Sequence, residues 1–170
     1  MELSLYQIDA FTDQVFKGNP AAVCPLQSWL SDSDLQAIAA ENNLSETAFY
    51  IPLVSGFQLR WFTPKAEVDL CGHATLATAF VIFNFSDYAD NTVRFESRSG
   101  ELTVTKSDDL LVMDFPSQPA KPCATPQLIV EGLGKAPIEV LSSEDYMAVF
   151  GTEEDVMALK PNFDALNKLD

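Results

Sequence analysis

The residues with the clearest chemical potential are Cys71-Gly72-His73-Ala74-Thr75, where a strand-like segment runs into an apolar helix. The first N–H groups of a helix have no acceptor within the helix, and with the helix dipole they favour an anion such as a carboxylate. Gly72 would also let another group approach this backbone. We therefore expect the N–H groups of Gly72, His73 and Ala74 to bind a small carboxylated molecule.

Three side chains in and before this segment each have two interpretations. His73 could orient a substrate or assist proton transfer, although a histidine that opens a buried helix is more often a core residue or a cap. Cys71 could contribute to substrate binding, or it could be a reactive thiol, because a helix N-terminus gives a thiol a reason to be acidic. Asp69 could be a second polar contributor to substrate binding, or it could simply stabilise the helix dipole.

The element that must position these groups is the helix that follows them. From His73 to Phe85 nearly every residue is apolar or small, and a helix that is apolar on all sides is a buried helix. At ~1.5 Å per residue it would be ~20 Å long, too short to span a bilayer. We expect a helix over roughly 73–84 to form the core of a domain.

Strands and one further helix surround this segment in the sequence. Ser31-Asp32-Ser33-Asp34 has the form of a capping box and predicts a helix over 32–42. The strand candidates after the turn at Gly56 include a meander of three. The candidates are Phe57–Phe62 and the three strands of the meander, Thr92–Ser97, Glu101–Lys106 and Leu110–Phe115. The predicted fold class is α+β: residues 1–116 form a curved, mostly antiparallel sheet wrapped around the central buried helix.

The chain changes character at residues 117–126, which are rich in proline and predict a stiff linker. Beyond it, residues 127–170 predict a helix at Leu128–Leu133, strands at Ile138–Leu141 and Tyr146–Phe150, and a helix capped by Thr152. Two strands followed by a capped helix repeat the order at the N-terminus. We therefore expect residues 127–170 to begin a second, similar lobe that is incomplete.

Charge restricts the classes of partner. The chain has 10 Lys and Arg residues against 25 Asp and Glu residues, a formal net charge of −15. Such a chain repels nucleic acid and anionic membrane surfaces, so we expect neither as a partner. Helix N-termini and single cations could still hold an anionic small molecule locally.

Two further features concern location and metals. Met1-Glu2-Leu3-Ser4 lacks the basic start of a secretory signal peptide, so we expect a cytoplasmic protein. The three cysteines have no metal-ligand spacing, and His73 is the single histidine. We expect free thiols, no metal and no cofactor.

Three motifs follow one another along residues 18–75. They are Gly18-Asn19-Pro20-Ala21-Ala22-Val23, then Asn43-Leu44-Ser45-Glu46-Thr47-Ala48-Phe49, then Arg60-Trp61-Phe62-Thr63-Pro64 with Glu67-Val68-Asp69-Leu70-Cys71-Gly72-His73-Ala74-Thr75. In this order they resemble the PhzF-like proteins of phenazine biosynthesis. The resemblance implies the diaminopimelate-epimerase fold, in which two similar lobes each wrap a sheet around a central helix and the active site lies between them.

The resemblance also implies an activity. PhzF-like proteins carry out cofactor-independent proton transfer on a small carboxylated substrate, typically an isomerisation, and the glutamate of the N-L-S-E-T motif is the general acid/base. In this sequence that residue is Glu46. Because the second lobe stops early, we expect a homodimer or association with a missing C-terminal half.

Two alternatives stay open at this point. The chain could be a racemase or epimerase that uses Cys71, since related epimerases have a cysteine before a Gly-Asn pair at a helix start. His73 stands where those enzymes have asparagine. The chain could also be a non-catalytic module that binds a small carboxylate or another protein, because half a cleft is still a binding surface.

Overall fold

The computed structural model describes residues 2–14 and 16–169. The chain divides into two compact units, which meet in sequence between Phe115 and Pro116. Each unit has its own sheet and helices.

The first unit is built on an eight-stranded sheet. Neighbouring strands are antiparallel except for two parallel pairs, β2 with β3 and β4 with β6. The strand order is β1-β2-β3-β4-β6-β7-β8, and β5 pairs with β4. The strands are β1 (Tyr6–Ala10), β2 (Asn19–Pro25), β3 (Glu46–Pro52), β4 (Phe57–Phe62), β5 (Glu67–Val68), β6 (Thr92–Ser97), β7 (Gly100–Ser107) and β8 (Leu110–Asp114).

Helix α2 (Gly72–Phe85) explains why this sheet is curved. The helix contacts β1, β2 and β3 near one edge of the sheet and also β8 at the other edge. A flat sheet could not reach the same helix from both ends, so the sheet curls around α2. This confirms the predicted fold class, an α+β lobe with a mostly antiparallel sheet around a central buried helix.

Most of α2 is buried, including two threonines. The hydroxyl groups of Thr75 and Thr78 donate to the carbonyl oxygens of Cys71 and Ala74, at 2.6 and 2.7 Å. A hydroxyl group can be buried in the core when it donates a hydrogen bond to a carbonyl oxygen of the preceding turn in this way.

One part of the prediction for α2 was wrong. Phe80, Asn84 and Phe85 are exposed, and Leu76 is half-buried. Leu76, Phe80 and Asn84 are spaced four residues apart and therefore lie on one face of the helix. The sheet covers the other faces but leaves this stripe open, so the helix is not enclosed on all sides.

Helix α1 (Asp32–Asn42) packs outside this core with the predicted bounds. The Ser31 hydroxyl accepts a hydrogen bond from the Asp34 N–H, as the capping box requires. Leu35 is fully buried in a second apolar cluster that includes Phe49 and Phe62. The sheet is thus buried on both faces where β3 and β4 pass between the two clusters.

An ionic network fixes the segment that leads to α2. Arg60 on β4 donates from Nε to Glu67 Oε1 at 2.6 Å and from Nη2 to Asp32 Oδ1 at 2.8 Å. Arg98, in the β6–β7 turn, contacts the same Glu67 at 2.6 Å and Asp69 at 3.4 Å. These contacts join α1, β4 and β5 just before the chain enters α2.

The second unit has a three-stranded sheet in the order β11-β10-β9. Thr152 caps α4 by accepting from the Asp155 N–H, so β10, β11 and α4 repeat the order of β1, β2 and α1. The elements are β9 (Lys121–Pro122), α3 (Gln127–Leu133), β10 (Glu139–Ser142), β11 (Tyr146–Val149), α4 (Glu153–Met157) and α5 (Phe163–Leu166).

The segment predicted as a linker contains one of these strands. Pro122 and Lys121 in β9 lie opposite Leu141 and Ser142 of β10. A proline is tolerated there because β9 is the outer strand of the sheet, where a missing N–H donor can face away from the neighbour. Residues 117–126 therefore include an edge strand of the second unit.

Among the described residues, no helix combines the length and the apolar character that crossing a bilayer would require.

Candidate functional site

Glu46 lies at the start of β3, at one end of the curved sheet. The strand pairs in parallel with β2, where Ala21 is opposite Glu46, and antiparallel with β4. Residues Thr47 to Tyr50 are buried, whereas the Glu46 side chain is 20% exposed. The carboxylate is therefore held by a rigid strand, yet it remains within reach of a ligand.

His73 lies in the first turn of α2 and faces Glu46. Its Nε2 is 3.4 Å from Glu46 Oε2, and the side chain is only 8% exposed. This contact does not have the alignment of a hydrogen bond, and Nε2 is a buried atom with no hydrogen-bond partner among the described residues. Buried polar atoms are usually paired, so the unpartnered Nε2 is a candidate for a role in binding or catalysis.

Cys71 lies against the other side of the imidazole. Its Sγ is 3.4 Å from His73 Nδ1. Burial raises the pKa of the Cys71 thiol to about 12, and the charge of Glu46 acts in the same direction. The backbone N–H groups of Ala74 and His73 oppose this rise but do not overcome it. The helix N-terminus does not make Cys71 acidic, because desolvation by burial outweighs it.

The three side chains also raise the question of a metal. Glu46, Cys71 and His73 each offer one ligand atom within 4.8 Å of the others, a grouping that spacing along the sequence does not reveal. The sulfur faces Nδ1, and the carboxylate faces Nε2. Three ligand atoms this close together could hold a metal ion, so the expectation of no metal stays a prediction.

The other predicted binding residues lie around this cluster in different ways. A methyl group at Gly72 would lie 3.8 Å from Phe115 Cε2, an ordinary contact distance, so no protein group there requires a glycine. Ala74 is fully buried and can offer only its backbone. The Asp69 side chain is 72% exposed and pairs with Arg98, apart from the Glu46, Cys71 and His73 cluster.

Sequence reasoning missed Arg98 and Ser99, which support the entrance to α2. The Ser99 hydroxyl donates to the Asp69 carbonyl oxygen at 2.8 Å, beside the Arg98 contacts to Asp69 and Glu67. Both residues belong to the turn after β6, far along the sequence from Asp69. No local pattern could have linked them to the site.

Comparisons with known proteins assign the chain to a family. The family described as "Phenazine biosynthesis-like protein" matches residues 8–170. The protein named "Uncharacterized isomerase PA2770" from Pseudomonas aeruginosa is 55% identical over 169 residues, which cover 99% of this chain. This chain spans 65% of the length of that relative.

Solved structures support the same family assignment and the same fold. A PhzF-family protein from Enterococcus faecalis is 46% identical, with a TM-score of 0.93 over 100% of this chain and 65% of its own. A protein titled "Predicted Epimerase PA4716" from Pseudomonas aeruginosa is 23% identical, with a TM-score of 0.72 over 99% of this chain and 67% of its own. The second likeness supports the fold alone. From the family match and these relatives, the chain belongs to the phenazine biosynthesis-like protein family.

Proposed function

We propose that this chain supplies the proton-transfer residues of a cofactor-independent isomerase that acts on a small carboxylated substrate. Glu46 is the general acid/base in this proposal, and His73 is the second catalytic residue. The N–H groups of Gly72 and Ala74 at the start of α2 hold the substrate carboxylate. The relatives that carry the word isomerase in their names support the reaction class.

One observation carries this proposal: the 3.4 Å approach of Glu46 Oε2, at the start of β3, to His73 Nε2, in the first turn of α2. An isomerisation that moves a proton between two carbons needs one group that can accept and return it. It also needs a donor for the charge that forms when the proton has left. The Glu46 carboxylate fits the first role, and the buried Nε2 without a partner fits the second.

Epimerisation by Cys71 has less support. A thiol acts as a base through its thiolate, and the pKa of Cys71 is raised to about 12. At neutral pH the sulfur keeps its proton. Glu46 is therefore the better acceptor for a substrate proton.

The experiment can include the portion of a relative that this chain does not span. Because the chain spans 65% of the PA2770 protein, a chimaera joins it to the part of that relative that it does not match. We propose that the chain also associates with a second copy or with such a C-terminal portion. Ile138, Met157 and Phe163 of the second unit are 74, 78 and 68% exposed, and apolar surface of this kind favours association.

The test is deuterium exchange followed by proton NMR. The chain and the chimaera are incubated in D2O with small carboxylates whose C–H bonds are next to a C=C or C=O group. We expect solvent deuterium to enter a substrate carbon with the chimaera. Glu46→Gln should lower that rate by roughly 10²-fold or more, because general acid/base catalysis contributes 10²–10⁴-fold.

Glu96→Gln is the matched control. Glu96 is exposed on β6, so the same chemical change there should leave the exchange rate unaltered. Unchanged exchange in Glu46→Gln would refute the acid/base role. Binding of a carboxylate with equal affinity to both variants, and no exchange with any compound, would instead identify a binding module.

A further inference from the structure

We propose that the Cys71 thiol sets the tautomer of His73, so that the neutral imidazole carries its proton on Nε2, the nitrogen that faces Glu46. Cys71 is then a positioning residue. Its effect on catalysis rests on the function proposed above, whereas its effect on the imidazole does not.

The thiol is placed to act on one nitrogen only. Cys71 Sγ lies 3.4 Å from His73 Nδ1, and both side chains are 8% exposed. The neutral imidazole has one N–H donor and one bare nitrogen acceptor, and its tautomer follows from the hydrogen bond made at either side. Cys71 is the N-cap residue of α2, yet its side chain forms no capping hydrogen bond. The S–H group has two acceptors within reach, His73 Nδ1 and the Glu46 carboxylate, and the proposal assigns its proton to Nδ1.

The opposite arrangement is electrostatically worse. If Nδ1 carried the proton and donated to sulfur, the bare Nε2 would face the Glu46 Oε2 atom at 3.4 Å. Two acceptors would then oppose each other in a buried site, where unpaired polar atoms are costly. A proton on Nε2 removes this repulsion.

The protonation state of the sulfur supports the same direction. Burial raises the pKa of Cys71 to about 12, so the sulfur keeps its hydrogen near neutral pH. Among the His, Cys, Asp and Glu side chains of the described residues, Glu46 and Cys71 are the ones grouped with His73 within 4.8 Å. The thiol thus donates on one side of the ring, and the ring presents an N–H on the side of the carboxylate.

This arrangement has a consequence for the reaction. An N–H on Nε2 can donate to a substrate oxygen beside the carbon from which Glu46 takes a proton. A ring in the other tautomer would offer no donor there. Cys71 would therefore affect the rate without touching the substrate.

The test uses the fact that His73 is the only histidine in the chain. The protein is labelled with ¹⁵N-histidine and purified without a histidine tag, and long-range ¹H–¹⁵N correlation spectra are recorded across a pH titration. Every imidazole signal then belongs to His73. In the wild-type protein we expect the neutral form of the ring to carry its proton on Nε2, and a neutral form with the proton on Nδ1 would overturn the proposal.

The variants separate this role from a structural one. Cys71→Ser keeps an O–H donor and should preserve the tautomer, whereas Cys71→Ala should give a mixture of both. Cys24→Ala removes the other buried thiol and should leave the imidazole spectrum unchanged. A folded Cys71→Ala protein with the wild-type tautomer would contradict the proposal, and if that variant does not fold, the wild-type spectrum alone still decides.

Deuterium exchange in the chimaera adds the catalytic readout. We expect Cys71→Ala to slow exchange on the order of 10-fold, a small part of a general acid/base contribution, with near wild-type rates in Cys71→Ser. The predicted tautomer without any exchange would refute the isomerase and leave the role of Cys71 intact. Exchange together with a proton on Nδ1 would support the isomerase and refute the role of Cys71.

Discussion

Glu46 Oε2 and His73 Nε2 lie 3.4 Å apart, although Glu46 begins β3 and His73 lies in the first turn of α2. Their approach depends on the contacts that α2 makes with β2 and β3. Those contacts bury one face of the helix against the concave side of the sheet. The geometry of the candidate site therefore depends on the burial of α2.

The burial of α2 can be tested with a charge. Ala77 is 1% exposed, so Ala77→Asp places an unpaired carboxylate in the core. We expect the free energy of unfolding to fall by roughly 3–5 kcal/mol, as for other uncompensated buried charges. Urea denaturation followed by circular dichroism measures it. Asn84→Asp is the control, because Asn84 is exposed on the same helix, and equal losses in both variants would contradict the assigned burial.

The guanidinium group of Arg60 gives a second prediction. It forms two hydrogen bonds to the Glu67 carboxylate at 2.6 and 2.8 Å and lies over the rings of Trp29 and Phe62. Lysine cannot reproduce this two-pronged contact. Arg60→Lys should cost about 1–3 kcal/mol of unfolding free energy, because it leaves a partly buried carboxylate underpaired.

The control for this variant is Arg94→Lys. Arg94 pairs with Glu101 at 3.2 Å, but both side chains are more than half exposed. Exposed pairs contribute little, so this variant should change the unfolding free energy by less than about 0.5 kcal/mol. The prediction fails if the two variants lose the same stability under the same denaturant titration.

Cys24 should make the protein sensitive to alkali. Burial raises the pKa of Cys24 from 9.0 to about 12. A raised pKa means that the folded state holds the thiol proton more tightly than the unfolded state. The stabilising contribution is therefore complete below pH 9 and is lost as the pH rises from 9 to about 12.

Chemical denaturation at a series of pH values would show this loss. Cys24→Ala should have a shallower fall in unfolding free energy above pH 9 than the wild-type protein. Cys123→Ala, which removes the exposed thiol, should keep the wild-type slope. Identical slopes in the Cys24→Ala and wild-type proteins would show that burial does not control this thiol.

Long, strongly patterned elements could be predicted from the sequence. The capping box gave the bounds of α1, and the apolar run after Gly72 located α2 within one residue at each end. The short elements β5, β9 and α5 have two to four residues each. Elements of that length contain only about one hydrophobic period, too little to form a pattern, and their formation depends on neighbours that the local sequence does not show.

Some features of the candidate site could likewise be predicted from the sequence, and others could not. The helix entrance stands out from residue types alone, whereas the role of Glu46 came through its resemblance to a family motif. The protonation of Cys71 could not be predicted, because desolvation is set by the packing around the sulfur. The open stripe on α2 depends similarly on which side of the helix the sheet leaves uncovered.

The contact of α2 with both β1 and β8 also has a consequence during synthesis. On a translating ribosome, α2 emerges before β6, β7 and β8, so part of its apolar surface has no strand to cover it at that stage. The nascent chain must keep this helix from aggregating until Leu110–Asp114 has left the exit tunnel. We therefore expect the first unit to fold late on the ribosome, and the newly made helix to be a segment on which chaperones act.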